Sequence, residues 1–199
     1  VQITSEIVKK LRDKTGVGMM DCKKALEETN GDFDKAVEIL RKKGIDVANK
    51  RSGRTASQGT IASYIHMGGK IGVLLEVNCE SDFVAKSDDF NNFVKDVAMQ
   101  IAAASPDWVV REEVPADVLN KEKEILKEQA LKTGKPEKVI EKIVEGKLAK
   151  FYSERCLMDQ PFVKDQDKTI KQLLDELMAK TGEKCLVRRF ARYQVGEDL

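Results

Sequence analysis

The chain has 199 residues, 41% of them hydrophobic and 35% charged, and its 35 basic and 34 acidic side chains leave a formal net charge of +1. That balance excludes a strongly basic protein that would hold nucleic acid by electrostatics alone. The longest apolar runs, such as Ile71 to Leu75, are strand-sized and far short of the roughly 20 residues that cross a bilayer, so no membrane span is expected.

Residues 1–44 read as three short helices. Ile3 before Thr4, with Val8 one turn on, matches a hydrophobic staple around an N-cap. Ile7, Val8 and Leu11 then make the apolar stripe, and Gly16 and Gly18 break the helix. A second helix carries Cys22, Ala25 and Leu26 and ends at Asn30-Gly31. Asp32 caps a third, with Phe33, Ala36, Val37 and Leu40 on one face and Gly44 closing it. From Ile45 to Gly59 the pattern lapses into small, polar and basic residues, as in a linker. The positive run Lys42, Lys43, Lys50, Arg51 and Arg54 reads either as a solvated linker or as a contact for an acidic partner or RNA. It lacks the interleaved aromatics that stack on bases.

Two strands follow. Ile61, Ser63, Ile65 and Met67 alternate with Ala62, Tyr64 and His66, Gly68-Gly69 turns the chain, and Ile71 to Cys79 alternates again, with Leu74 marking a partly covered second face. Ser87 caps a strong helix carrying Phe90, Phe93, Val94, Val97, Ile101 and Ala104, ended by Ser105-Pro106. Pro115 opens a charged helix to about Lys132, and Thr133-Gly134-Lys135-Pro136 turns it into another, with Ile140, Ile143, Val144, Leu148 and Phe151 as its stripe and Pro136 at its first position. The pair predicts an antiparallel helical hairpin over about 115–157. Residues Asp165 to Lys180 read as a last amphipathic helix, and Leu186 to Val195 as a third strand joining the first two. The fold class predicted is α+β: a three-helix module at 1–50, a linker at 51–58, and a core domain at 59–199 with a small antiparallel sheet, packed helices and the protruding hairpin.

Few groups here can do covalent chemistry. The four cysteines, Cys22, Cys79, Cys156 and Cys185, form no C-x-x-C and read as reduced thiols of a cytosolic protein. His66 is the sole histidine, which leaves zinc clusters and nucleophile–His dyads poorly provided for, and beside a strand it reads as structural. No catalytic residue, metal site or cofactor is expected. Residues Val1 to Ser5 lack the basic and apolar regions of a secretory signal, in keeping with a cytoplasmic location. Gly16 to Met20 and Gly68-Gly69-Lys70 both fail the phosphate-loop pattern. Two segments remain. In Asn78 to Lys86 a Phe-Val pair sits at a strand-to-helix corner, where Phe83 either caps the core or serves a contact. In Gly16 to Met20 two methionines offer either core packing or a soft apolar contact surface.

These segments carry a resemblance. Thr15-Gly16-Val17-Gly18-Met19-Met20-Asp21-Cys22-Lys23-Lys24-Ala25-Leu26, then Asn30-Gly31-Asp32, then Glu76-Val77-Asn78-Cys79-Glu80-Ser81-Asp82-Phe83-Val84-Ala85 resemble the translation elongation factor Ts family. Gly134-Lys135-Pro136, Glu145-Gly146-Lys147, Asp159 to Val163 and Val187 to Phe190 match it too, so the likeness runs from about residue 2 to 196. The family implies a guanine-nucleotide exchange factor, without covalent chemistry, that acts on elongation factor Tu in its GDP-bound and nucleotide-free forms. It implies an N-terminal module similar to the ubiquitin-associated fold that docks on the GTPase domain. The family loop, usually Thr-Asp-Phe-Val, stands here as Ser81-Asp82-Phe83-Val84. By resemblance, Phe83 is a wedge set by Asp82 and Val84 that displaces Mg²⁺ and promotes GDP release. Ser81 keeps the threonine hydroxyl and loses its methyl. Arg12, Met19 and Met20 match positions near the docking face. Long family members carry two related core halves, whereas this length leaves room for one sheet, so a homodimer through the sheet is expected. Neither direct nucleic-acid binding nor a membrane is implied. Cys185, near the sheet edge, is expected as a buried free thiol.

Overall fold

The computed structural model describes residues 3–51, 53–132, 134 and 136–197, with the backbone alone described over 44–51. The chain divides into two compact units. One comprises Val1–Ile61, Glu76–Val94 and Gln172–Val187, and the other Ala62–Leu75, Lys95–Lys171 and Arg188–Leu199. The expected α+β architecture is what the chain adopts: N-terminal helices, a three-stranded sheet with Ile71–Cys79 between Gln58–Ile65 and Cys185–Gln194, packed helices and a helical hairpin.

In the first unit, α1 (Ser5–Thr15), α2 (Met19–Glu28) and α3 (Phe33–Arg51) fold on one another. Thr4 is the N-cap of α1, its hydroxyl accepting the Ile7 N–H at 3.4 Å. Gly16 ends α1 in the left-handed region at φ 68°, its N–H donating to the Arg12 carbonyl. The Asp32 carboxylate accepts the Lys35 N–H at 3.1 Å at the start of α3. Val8, Leu11, Cys22, Ala25, Leu26, Ala36 and Leu40 are buried together, with Ile3, Ile7 and Phe33 packed against them. The third helix does not close at Gly44 but runs on to Arg51. An interior glycine costs only about 1 kcal/mol, which the good helix formers around it offset. Of the predicted linker, Ser52 lies outside the described residues.

β1 (Gln58–Ile65) starts three residues before the predicted strand, and β2 (Ile71–Cys79) matches its expected limits. Gly68 and Gly69 both take positive φ at the turn, and the His66 N–H donates to the Ile71 carbonyl at 2.9 Å. The Val195 N–H donates to the Lys70 carbonyl, so the end of β5 (Cys185–Gln194) lies beside the start of β2 and the two run antiparallel. Val73, Leu75, Val77 and Cys79 are buried. Leu74, expected to be partly covered, is exposed, because the second face of the sheet is open there.

α5 (Asp88–Ala104) follows a one-turn α4 (Asp82–Ala85), and Ser105, at φ 46°, ends it. In the second unit α6 (Ala116–Leu131) and α7 (Glu137–Arg155) form the antiparallel hairpin, with Leu126, Ala130 and Ile140 buried in its seam. Pro136 stands at the N-cap of α7 and not at its first position. Thr133 and Lys135 of the predicted turn lie outside the described residues. β3 (Pro161–Phe162) and β4 (Asp165–Thr169) make a small antiparallel pair, so the last helix, α8 (Ile170–Thr181), begins five residues after its predicted start. The charged run Asp165-Gln166-Asp167-Lys168 has no apolar face to bury as a helix. Two buried amides tie this unit together. Gln100 donates to the Gln160 side-chain oxygen at 3.0 Å and accepts the Val163 N–H at 2.8 Å. Gln160 in turn donates to the Ala104 and Glu154 carbonyls.

Gly59 takes φ 142°, and an added Cβ would collide with the Val77 carbonyl and the Asn78 Cα. At Gly72 an added Cβ would meet only the mobile tip of Ile65, at 3.2 Å. Gly59→Ala is therefore expected to lower stability by about 1–3 kcal/mol. Gly72→Ala should change it by less than about 1 kcal/mol in the same urea titration.

Candidate functional site

At the end of β2 the chain must pass from a buried strand to a helix within a few residues. The segment expected as a loop is a single helical turn, α4, because Ser81 supplies an N-cap. Ser81 has extended φ and ψ, and its hydroxyl oxygen accepts the Val84 N–H at 3.4 Å. Ser87 fastens the far end: its hydroxyl donates to the Val84 carbonyl at 2.8 Å and accepts the Phe90 N–H. Asn91 donates to the Ser87 carbonyl at 2.9 Å. The corner is thus held by hydrogen bonds on both sides.

Within the turn the neighbours face opposite ways. Val84 is buried at 9% exposure, and Phe83 stands out at 87%. Of the two sequence readings of Phe83, capping the core is excluded. Asp82 is exposed and pairs with Lys86 at 3.5 Å, a surface ion pair of small energetic weight. Below the turn the Cys79 thiol donates to the Ser81 carbonyl at 3.2 Å.

A second set of contacts reaches this corner from far along the chain. The Ser81 N–H donates to Glu183 Oε2 at 2.9 Å, and the Ser81 hydroxyl donates to Glu183 Oε1 at 2.5 Å. In return the Lys184 N–H donates to Glu80 Oε1 at 2.7 Å. Glu80 also meets Arg54 at 3.4 Å, and the Lys184 ammonium donates to the Arg54 carbonyl at 2.8 Å. Glu80 falls in the segment that carries the resemblance, whereas Glu183 and Lys184 carry no signal in the sequence.

Met19 and Met20 open α2 and are both exposed, Met20 the more so, and Arg12 lies exposed on α1. The loop before them rests against the same end of α8: a Cβ on Gly16 would strike the methylenes of Lys180. Lys180 also reaches Asp89 at 3.4 Å. The Gly16 loop and the Phe83 turn are therefore both anchored on residues 180–184, within one compact unit.

Little in this region can do bond-making chemistry. Among the described residues no group of three His, Cys, Asp or Glu side chains could hold a metal ion. His66 is exposed beside β1, its Nδ1 3.1 Å from the Tyr64 hydroxyl. All four cysteines are buried and free, Cys185 among them. Burial, and then the neighbouring Cys79, pushes the Cys185 thiol up to about 12. Burial pushes Cys156 up to about 11 and raises Cys22 and Cys79 as well. No described helix is long and apolar enough to cross a membrane. This unit thus presents one exposed aromatic on a pinned turn and two exposed methionines at the start of α2.

Residues 2–197 match the family model for Elongation factor TS. Over 198 residues the chain is 60% identical to elongation factor Ts of Desulforamulus reducens, covering 100% of this chain and 91% of that protein. It is 60% identical over 199 residues to elongation factor Ts of Geobacter sulfurreducens, covering 100% of this chain and 92% of that one. With elongation factor Ts of Caldanaerobacter subterraneus it shares 57% identity over 197 residues, covering 99% and 98%. The chain belongs to the elongation factor Ts family.

A thiol with its pKa near 12 is ionised in only about one molecule in ten thousand at pH 8. All four thiols are also buried, so an aromatic disulfide reagent at pH 8 should leave them unreacted in the native protein and titrate all four once denaturant is added. The native Cys185 thiol keeps its proton where the unfolded one, near 9, loses it. Its contribution to stability is complete below pH 9 and is lost as pH rises towards about 12, which urea midpoints measured across that range will register.

Proposed function

We propose that this protein is a guanine-nucleotide exchange factor for elongation factor Tu. It binds the GDP form, inserts the Ser81-Asp82-Phe83-Val84 turn, displaces Mg²⁺ and releases GDP so that GTP can enter. It does no covalent chemistry and works in the cytoplasm. Family membership supports the activity and the partner. The observation that carries the mechanism is Phe83, 87% exposed on a turn whose ends are hydrogen-bonded.

A factor that weakens nucleotide must itself bind more tightly when nucleotide is absent, since the coupling is reciprocal. A thousandfold weakening takes about 4 kcal/mol. Burying one phenyl supplies roughly 1.5–3 kcal/mol. The wedge therefore needs a second hold on the GTPase, and the module of residues 1–50, with Arg12, Met19 and Met20 at its docking face, provides it. Loss of the cation leaves the phosphate oxygens facing one another unscreened, which favours release.

The sheet supports a homodimer. Ile65 and Gly72 share one face, since a Cβ on Gly72 would touch Ile65, and Leu74 follows Gly72 on that side. Arg192 reaches inward to the Ala102 carbonyl, so Tyr193 points outward by the alternation of the strand. Ile65, Leu74 and Tyr193 are all exposed, an apolar face suited to a second copy.

Phe83→Ala should fold normally, with stability changed by less than about 0.5 kcal/mol. It should slow the release of fluorescent GDP from elongation factor Tu by about 10–150-fold, the equivalent of one buried phenyl. Unchanged release by this variant would remove the wedge from the mechanism. Sedimentation of the wild type should give a dimer, and Leu74→Arg a monomer.

A further inference from the structure

We propose that Glu183 is a positioning residue for exchange: through Ser81 it fixes the turn that presents Phe83, an inference that rests on the exchange reading above. The turn is only four residues long, too short to hold helical geometry by its own hydrogen bonds. Phe83, being exposed, contributes no burial to it, and Val84 alone is anchored in the interior. The Ser81 hydroxyl has one proton and two lone pairs. With the proton given to Glu183 Oε1, a lone pair is left facing the Val84 N–H. The other carboxylate oxygen takes the Ser81 N–H, so one side chain sets both the backbone and the hydroxyl rotor of the capping residue.

Glu183 is itself held. Gly182 before it takes φ 76°, the Glu183 N–H donates to the Thr181 hydroxyl, and the Lys184 N–H beyond it is fastened to Glu80. A carboxylate fixed from both sides, using both oxygens on one serine, acts as a brace against rotation of the turn. Its action passes through Ser81. Loss of the brace leaves the docking helices as they were and lets the phenyl sample orientations in which it cannot enter the GTPase. The effect should fall on the rate within the complex and not on the formation of the complex.

The test measures fluorescent GDP release from elongation factor Tu over a range of exchange-factor concentrations, for wild type, Glu183→Ala, Glu183→Gln and Ser81→Ala. Glu183→Ala should lower the maximal rate about tenfold and leave the half-saturating concentration within twofold. Glu183→Gln, whose amide can accept from the Ser81 N–H and donate to its hydroxyl oxygen, should restore at least half of the wild-type rate. Ser81→Ala, which keeps the backbone bond, should lie between them, and it carries the test if Glu183→Ala does not fold. Wild-type maximal rates in both Glu183→Ala and Ser81→Ala would overturn the brace while leaving the exchange reading intact. A Glu183→Ala defect confined to the half-saturating concentration would also overturn it. A wild-type protein that releases no GDP would instead overturn the exchange reading itself.

Discussion

Two backbone N–H groups and two carboxylates, exchanged between residues 80–81 and 183–184, close the corner that carries Phe83. Each carboxylate accepts from the neighbouring strand end, so neither segment can shift without breaking a charge-assisted bond in the other. A strand that ends in the interior leaves N–H groups needing partners, and this exchange provides them without covering the turn that follows. The consequence is geometric: rigidity reaches the surface without burial. An exposed phenyl on a free loop would have to be ordered on binding, and each immobilised side chain of that kind costs about 0.5–1.5 kcal/mol. Here the backbone part of that ordering is completed on folding.

The same end of α8 serves the N-terminal helices. Lys180 lies over Gly16, and three residues later Glu183 takes Ser81. Glycine is required at 16 on two counts, since the residue is left-handed and since its missing side chain is where the lysine methylenes lie. The ion pair from Lys180 to Asp89 is half-exposed and adds little by itself. The N-terminal helices and the Phe83 turn thus share one foundation.

Much of this was legible in the sequence wherever the signal is local. Thr4, Asp32 and Ser87 announce their helices as caps, Gly68-Gly69 announces the turn, and the alternation from Ile71 to Cys79 fixes which face is buried. Helix limits were misread where two local signals compete. Gly44 looks like a stop, yet one glycine costs a helix only about 1 kcal/mol, and α3 runs on through it. Asp165 to Thr169 has charges that suit a helix surface, but it pairs with Pro161–Phe162 instead. The turn at 82–85 was read as a loop because a four-residue helix has no periodicity to detect. Phe83 stands out by its place at a strand-to-helix corner and by the resemblance of Ser81 to Val84 to the family loop, while the residues alone leave its exposure open. Glu183 could not have been found at all, since no pattern in one sequence sets residue 183 beside residue 81.

That separation has a consequence for the order of folding. The bonds that brace the corner span 102 and 104 residues. Closing a loop of that length costs roughly 4 kcal/mol in chain entropy beyond the fixed cost of closure. The N-terminal helices and the β1–β2 hairpin are built from near neighbours and can form early. The brace must wait until α5, the helical hairpin and α8 have brought the chain back. A nascent chain that has emerged only to the end of α7 already has the local bonds of Ser81 and Ser87 around Phe83, but not the brace from Glu183. The fully braced corner thus arrives late, with the stretch around Glu183 and Lys184, which makes the setting of Phe83 a reporter of a core that has finished assembling.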